Sequence, residues 1–238
     1  MEEYKVIVIG GGPGGYESAI RLSQYGISCL VIEKERLGGV CLNRGCIPTK
    51  ALVKSAELYR EMNEAESFGL PSSELKIDYA KVFERKNKIV EQLVGGIEFL
   101  YRKRKIALHT AKVNEISKLS DGYAIKTDDD KSYKAQYVII ATGSTAKSLP
   151  GISIDERDIM SSTGILQMDS LPESLAIVGG GVIGCEFACI YAAFGVKVSI
   201  VEFLPRLVAL EDEEISKRLA PALKKSGIKV LTNTAVQG

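Results

Sequence analysis

Two cysteines and two glycine runs are the residues whose types and spacing can do chemistry in this chain. Cys41 and Cys46 stand in GGVCLNRGCIPTK with four residues between them. Four intervening residues can bring two Cα atoms within disulfide reach, about 4.4–6.8 Å, if the chain turns. Near a helix N-terminus, with Arg44 and Lys50 close by, such thiols are expected to have lowered pKa values and to exchange readily. Two inert core thiols or half of a metal site are the alternatives, and spacing alone does not choose between a redox pair and an inert one. Zinc has no support, since there is no second cysteine pair and the single histidine is His109; no metal site is expected.

The glycines form G-x-G-x-x-G twice, as Gly10, Gly12 and Gly15 and again as Gly179, Gly181 and Gly184. In such a motif the first glycine permits a tight turn, the second lets backbone approach a pyrophosphate, and the third lets helix pack on strand. The phosphates sit at the helix N-terminus, where unpaired N–H groups and the helix dipole favour negative charge. One such match is weak. Here both copies follow an apolar strand and open a helix, and each following strand ends in a carboxylate, Glu33 and Glu202, at the same interval from the first glycine. Glu33 and Glu202 are expected to accept hydrogen bonds from ribose hydroxyls. A carboxylate there repels a 2′-phosphate, so Glu202 argues for NAD over NADP, with Arg206 near enough in sequence to soften the discrimination.

The elements that must position these groups are legible as patterns. Tyr4–Ile9 reads as a strand, Gly15–Tyr25 as a helix closed by Gly26, and Ser28–Ile32 as a second strand: a βαβ unit, which builds right-handed parallel sheets. Helices are expected over Ile47–Met62, with Pro48 in the first turn, and over Tyr79–Arg102, with Val82, Ile89, Leu93, Ile97 and Leu100 as its apolar stripe. The runs Ile106–Val113, Tyr123–Lys126 and Tyr137–Ile140 are expected to form a small antiparallel meander. Pro150-Gly151 marks a boundary, giving residues 1–150 and 151–238 as two domains. Beyond it the first pattern recurs: strand to Val178, helix to Phe194, strand Lys197–Val201, and a helix from the acidic run Glu211–Glu214 to Lys224-Lys225-Gly227. The expected fold is α/β, two Rossmann-like dinucleotide-binding domains, each full domain pairing a parallel sheet and helices with an antiparallel meander, the C-terminal part truncated.

Bulk composition narrows the classes. Lys plus Arg number 31 against 30 for Asp plus Glu, so no basic field steers the chain onto nucleic acid or anionic lipid. No apolar run has the length of a membrane span, and the acidic start MEEYKVIVIG lacks the basic region of a signal peptide. Five cysteines do not make a disulfide scaffold, which points to a reducing, cytoplasmic compartment. Cys29, Cys185 and Cys189 lie in apolar runs and read as small buried hydrophobes.

The residues quoted above resemble the pyridine nucleotide-disulfide oxidoreductases. GGVCLNRGCIPTK is similar to that family's redox-disulfide signature, nearest to its dihydrolipoamide dehydrogenase branch. The likeness continues in IGGGPGGYESAIRLSQYG, in ATGS at Ala141–Ser144 and in GGGVIGCEFA at Gly179–Ala188, in the family's order and over essentially the whole chain. The resemblance implies FAD in the first cradle, with Gly10, Gly12, Gly15, Glu33, Lys34, Gly39, Cys41, Lys50, Ala111, Thr142, Gly143 and Ser144 as binding residues. It implies NAD in the second, with Gly179, Gly181, Ile183, Gly184, Glu202 and Val236. Cys41 would be the interchange thiol of a Cys41–Cys46 disulfide, Cys46 the thiolate against the flavin, and Lys50 and Glu186 a pair near the flavin N5.

The implied activity is oxidation of protein-bound dihydrolipoamide to lipoamide with NAD as acceptor, the flavin supplying the redox chemistry. The implied partner is the lipoyl-bearing protein of a 2-oxoacid dehydrogenase or glycine cleavage complex, and the implied full-length form a homodimer. A glutathione-reductase-like enzyme is disfavoured, because basic residues are expected where Glu202 stands. A mercuric-reductase-like enzyme and a non-catalytic flavin-binding fragment are the competing readings. Members of the family run to about twice this length and draw a proton-shuttling histidine from a C-terminal domain. His109, placed in the meander beside Ala111, is not that base, so residues 1–238 alone are expected to be catalytically incomplete, to retain FAD weakly, and to leave a sheet edge exposed.

Overall fold

The computed structural model describes residues 1–70 and 75–237. Gly238, the end of the expected second domain, lies outside the described residues. In chain order the elements are β1 (Glu2–Ile9), α1 (Pro13–Gln24), β2 (Cys29–Glu33), α2 (Gly39–Arg44), α3 (Cys46–Asn63), α4 (Tyr79–Arg104), β3 (Ala107–Thr110), β4 (Val113–Leu119), β5 (Gly122–Thr127), β6 (Ser132–Ile140), β7 (Ser174–Val178), α5 (Val182–Ala193), β8 (Lys197–Val201), α6 (Glu213–Lys225) and β9 (Lys229–Leu231). Short 3₁₀ turns occur at Ala65–Phe68 and Ile165–Gln167. The chain is α/β and Rossmann-like, as its patterning implies.

Two compact units divide it, and neither is continuous in sequence. Met1–Pro48 packs with Asn87–Ala146, while Thr49–Lys86 packs with the chain from Lys147 onward. Thr49–Lys86, which a single break near Pro150 leaves in the first domain, thus belongs to the second unit. Leu52, Ala56 and Tyr79 belong to the core of α5 and β8.

In the first unit the strand order is β3-β2-β1-β6-β5-β4. The strands β3, β2, β1 and β6 are mutually parallel, and β5 and β4 complete an antiparallel meander. β1 and β2 are near-continuous apolar runs because both faces are covered. Val6, Val8, Cys29 and Val31 pack under Ala19 of α1 and Val90, Val94 and Ile97 of α4. The alternate residues Ile7, Ile9, Leu30 and Ile32 pack with Ile125, Tyr133 and Ala135 of the meander.

Two expectations change here. The run Ile106–Val113 divides: β3 joins the parallel sheet beside β2, with His109 opposite Ile32, and only β4 enters the meander. The run Tyr137–Ile140 is the end of a longer strand whose whole length pairs with β1. The buried stripe of α4 is also displaced, to Tyr79, Lys86, Val90, Val94, Ile97 and Tyr101, leaving Leu93 exposed. Lysine at a stripe position hides this periodicity from a hydrophobicity reading.

The second unit has the parallel order β7-β8-β9. α5 is apolar on most sides and is buried accordingly, through Cys185, Phe187, Ala188, Ile190 and Tyr191. Cys189 corrects the expectation of a buried thiol: it is exposed, one turn beyond Glu186 on the outer face of the helix. α6 starts on an Asp212 cap that accepts the Glu214 N–H at 2.8 Å and ends in Lys224 and Lys225, matching its dipole.

Candidate functional site

The first cradle sits at the carboxyl ends of β1 and β2, where a parallel sheet places its ligands. Gly10 has φ +104°, and a Cβ there would lie 2.2 Å from the Ala141 carbonyl oxygen, so only glycine lets β1 turn beneath that strand end. A Cβ on Gly15 would lie 1.8 Å from the Gly10 carbonyl oxygen, so this glycine sets the approach of α1 to the turn. No side chain caps the N-terminus of α1, which leaves its N–H groups to a ligand.

A cavity of about 570 Å³ opens over this turn. It gathers Gly10, Gly12, Glu33, Lys34, Gly39 and Cys41 with Ala111, Thr142, Gly143 and Ser144. Of the expected first-cradle residues, Gly15 is buried within the first turn of α1, and it, Cys46 and Lys50 are not in the lining. Asn43, Arg44 and Lys112 line it too and were not singled out as binding residues. An anion-binding helix end, an acidic ribose acceptor and an apolar wall are the donor set that a flavin dinucleotide needs, so the residues present fit FAD.

Glu33 does a second job that its sequence position did not disclose. Its carboxylate accepts the Gly11 N–H at 2.5 Å and the Glu35 N–H at 2.8 Å. It is buried and ties the glycine turn to the loop after β2. Carboxylate oxygens carry further lone pairs, so acceptance from a ribose remains open.

The second cradle repeats this geometry residue for residue. Gly179 has φ +105°, and a Cβ on Gly184 would lie 2.3 Å from the Gly179 carbonyl oxygen. Glu202 accepts the Gly180 N–H at 2.5 Å and the Leu204 N–H at 2.7 Å. The N-terminus of α5 is likewise without a side-chain cap. These residues fit a second dinucleotide. Ile183 and Val236 are exposed. Arg206, expected to lie near the ribose, donates to the carbonyls of Ala209 and Glu211 at 2.8 and 3.1 Å, so it clips its own loop.

The cysteines lie on two helices joined at Gly45, where the sequence indicates one helix following the pair. Cys41 lies in α2 and Cys46 opens α3. Gly45 reverses the chain between them, and a Cβ there would lie 2.9 Å from the Val40 carbonyl oxygen and 3.2 Å from the Cys41 Cα. The two are free thiols facing one another: hydrogen bonding to Cys46 is the main reason the Cys41 pKa is raised, with burial second. This corrects the expected lowering by Arg44. That guanidinium is taken by Glu35 at 2.6 Å and is not among the groups that shift Cys41. Burial raises Cys29, and raises Cys185 to about 11, as befits inert thiols.

Within the second unit Lys50 Nζ donates to Glu186 Oε1, joining α3 to α5. His109 pairs with Asp129 at 3.1 Å on β3, away from the thiols. Among the described residues no group of His, Cys, Asp or Glu could hold a metal, and no helix is long and apolar enough to cross a membrane.

Fold and site define a class: a chain with two like glycine-turn cradles, Cys41 in the wall of the first and Cys46 facing it. The family model described as pyridine nucleotide-disulphide oxidoreductase matches residues 4–238, and the chain belongs to this family. Within it, the chain is 42% identical over 242 aligned residues to a dihydrolipoyl dehydrogenase of Bacillus subtilis (strain 168), covering 98% of this chain and 51% of that protein. A dihydrolipoyl dehydrogenase of Zymomonas mobilis is 39% identical over 240 residues, covering 99% and 51%. The chain thus spans about half the length of these curated relatives. Among solved structures, the HOCl-induced flavoprotein disulfide reductase RclA from Escherichia coli superposes with a TM-score of 0.84 at 28% identity, covering 98% of this chain and 50% of that one.

Proposed function

We propose that this chain is the nucleotide-binding half of a flavin-dependent disulfide oxidoreductase that oxidises protein-bound dihydrolipoamide with NAD as acceptor. On this reading residues 1–150 hold FAD and residues 151–238 begin the NAD domain. The observation that carries it is the placement of Cys41 in the wall of the cavity that the Gly10–Gly12 cradle and Glu33 also line. Bound FAD supplies the two-electron relay between the thiol pair and NAD.

The chain's own part is thiol–disulfide exchange. A substrate thiolate attacks Cys41 Sγ of the Cys41–Cys46 disulfide, and Cys46 leaves as thiolate. The second substrate thiol, on losing its proton, attacks the mixed disulfide, which closes the lipoyl ring and frees Cys41. The substrate loses two electrons and two protons; the cysteines gain the electrons. Gly45 and the α2–α3 turn hold the two sulfurs within reach of one another. Lys50 and Glu186 are proposed to act beside the flavin.

The matching names of the relatives support a lipoyl-bearing partner from a 2-oxoacid dehydrogenase or glycine cleavage complex. A homodimer in full-length form and a cytoplasmic location go with that reading. Glu202 supports NAD over NADP, since a carboxylate there repels a 2′-phosphate.

The test uses the full-length protein with dihydrolipoamide and NAD⁺. Cys41→Ser and Cys46→Ser are each expected to lower turnover by at least 10³-fold, on the order of the loss of a catalytic nucleophile, while FAD stays bound. Full turnover in either variant, or turnover with NADP⁺ equal to that with NAD⁺, overturns the corresponding part of the reading.

A further inference from the structure

The turn that leads into α2, the helix that carries Cys41, is held by a side chain whose role the exchange chemistry has not used. Asn43 Nδ2 donates to the carbonyls of Leu37 at 3.1 Å and Gly39 at 3.0 Å. Between those carbonyls lie two left-handed residues in succession, Gly38 at φ +105° and Gly39 at φ +60°. The same turn touches the phosphate cradle twice. Gly38 N–H donates to the Gly11 carbonyl at 2.8 Å, and a Cβ on Gly39 would lie 2.5 Å from the Gly12 Cα. The amide of Asn43 fills the concave side of the turn, 3.2 Å from where a Gly38 Cβ would sit.

Chemistry fixes which end of the amide does this. Two carbonyl oxygens face it, so the NH₂ end must point at them; the flipped amide would set three oxygens together. The opposite end, Oδ1, is buried with no hydrogen-bond partner. Leaving an acceptor unpaired is a cost that an apolar side chain avoids, so what Asn43 contributes here is its donor end. Arg44, the next residue, ties the C-terminus of α2 to Glu35, but that pair is partly solvated and replaceable.

We infer that Asn43 is a positioning residue for thiol–disulfide exchange: its amide holds the Gly38–Gly39 turn, and the turn sets Cys41 against both the phosphate cradle and Cys46. The inference rests on the redox reading above. It acts through backbone, so it predicts that aspartate is worse than alanine at this position. Aspartate has nearly the same shape but presents carboxylate oxygens to two carbonyls, while alanine only removes the donors.

The experiment titrates Cys41 and Cys46 of the full-length protein in glutathione buffers and counts free thiols by alkylation and mass spectrometry. Each conversion is balanced: two protein thiols and one oxidised glutathione give one protein disulfide and two reduced glutathiones. Asn43→Asp is expected to shift the dithiol–disulfide equilibrium constant by about tenfold, equivalent to ~30 mV for a two-electron couple, and Asn43→Ala by about threefold. The pH profile of Cys41 alkylation should move with it. Should Asn43→Asp not fold, Asn43→Ala decides alone, a shift of about threefold supporting the inference and a wild-type midpoint overturning it.

A residue that merely stiffened the fold would lower the melting temperature and leave the midpoint and pH profile unmoved. Wild-type midpoints in both variants, within twofold, overturn the inference while leaving the redox reading intact. Failure of wild-type Cys41 and Cys46 to pair at all overturns that reading and the inference with it.

Discussion

The two cradles are built alike and closed differently. Their glycine turns, their carboxylate ties and even the residue behind the middle glycine correspond: Leu37 backs Gly11 as Leu207 backs Gly180. The backbone tie that follows also corresponds, with Gly38 N–H donating to Gly11 and Val208 N–H to Gly180. Both donors are left-handed, but the second is a valine at φ +41°, a position that disfavours a β-branched residue. The difference lies in what flanks the first strand. β1 is interior, with β6 along it and Ala141 over Gly10. β7 is an edge strand among the described residues, and a Cβ on Gly179 or Gly181 would meet nothing within 4 Å. Charge differs as well. Lys34, Arg36, Arg44 and Lys112 ring the first cavity, whereas Phe203 and Leu204 follow Glu202. A local motif therefore makes the turn, and the neighbouring strand makes the enclosure.

The sharpest way to break this comparison is a paired substitution. Gly10→Ala and Gly179→Ala impose the same left-handed backbone on alanine, at about 1–2 kcal/mol each. Only Gly10→Ala also drives a methyl into the Ala141 carbonyl, adding ~2–3 kcal/mol of overpacking. Denaturant unfolding should show the first variant less stable than the second by roughly that increment. Equal losses would mean that enclosure is not what separates the cradles.

The next largest effect separates the units by pH. Lys86 is buried in the second unit, donates to the Leu166 carbonyl and stacks on Phe83, and burial lowers its pKa from 10.5 to about 8. Between those values the unfolded chain binds more protons than the folded one, so this lysine makes stability rise with pH from about 8 upward. Below that window its ammonium is a buried charge without a carboxylate. Lys86→Met should raise stability at pH 7 by on the order of 1–2 kcal/mol, after the lost carbonyl bond is deducted, and should flatten the slope measured between about pH 8 and 9.5. Half-buried Tyr4, raised to about 12 chiefly by desolvation, acts in the opposite sense only above its usual value. An unchanged slope in Lys86→Met would show that the ammonium is solvated.

A smaller difference is expected at the carboxylates. Glu33 is 9% exposed and Glu202 more so, so Glu33→Gln, which turns one acceptor into a donor facing an N–H, should cost about 2 kcal/mol and Glu202→Gln about 1. A reversed order in chemical denaturation would show that the second turn depends more on its tie than the enclosed one does. The least effect belongs to the Arg44–Glu35 pair, which has no counterpart in the second cradle. Arg44→Gln should cost ~0.5 kcal/mol at low salt and nothing measurable at high salt. A salt-independent loss would mark a contact other than this ion pair.

Much of this was legible without coordinates. Strand, glycine turn, helix and strand are written in residues near one another, and β8 falls on Lys197–Val201 as the apolar run indicates. The equal interval from first glycine to carboxylate is also local, so the duplication could be read directly. The signature around Cys41 and Cys46 marked the family. Sequence gave no warning of α2, whose six residues are too few to show a helical period. Nor did it signal Lys86 in an apolar stripe, since its counterpart is a carbonyl 80 residues away.

What the sequence alone determined is the inventory: two glycine turns, two acidic strand ends, one pair of nearby cysteines and their order. Those depend on φ preferences, turn chemistry and short periodicities, which act within a dozen residues. Tertiary structure alone decided the assignments between distant groups. It sent Arg44 to Glu35 instead of to the thiols, set β6 along β1, placed residues 49–86 in the second unit, and raised Cys41 where neighbouring cations had suggested lowering. Each of these is a competition between partners far apart in the chain, settled by burial and by which hydrogen-bonding groups the packing brings face to face.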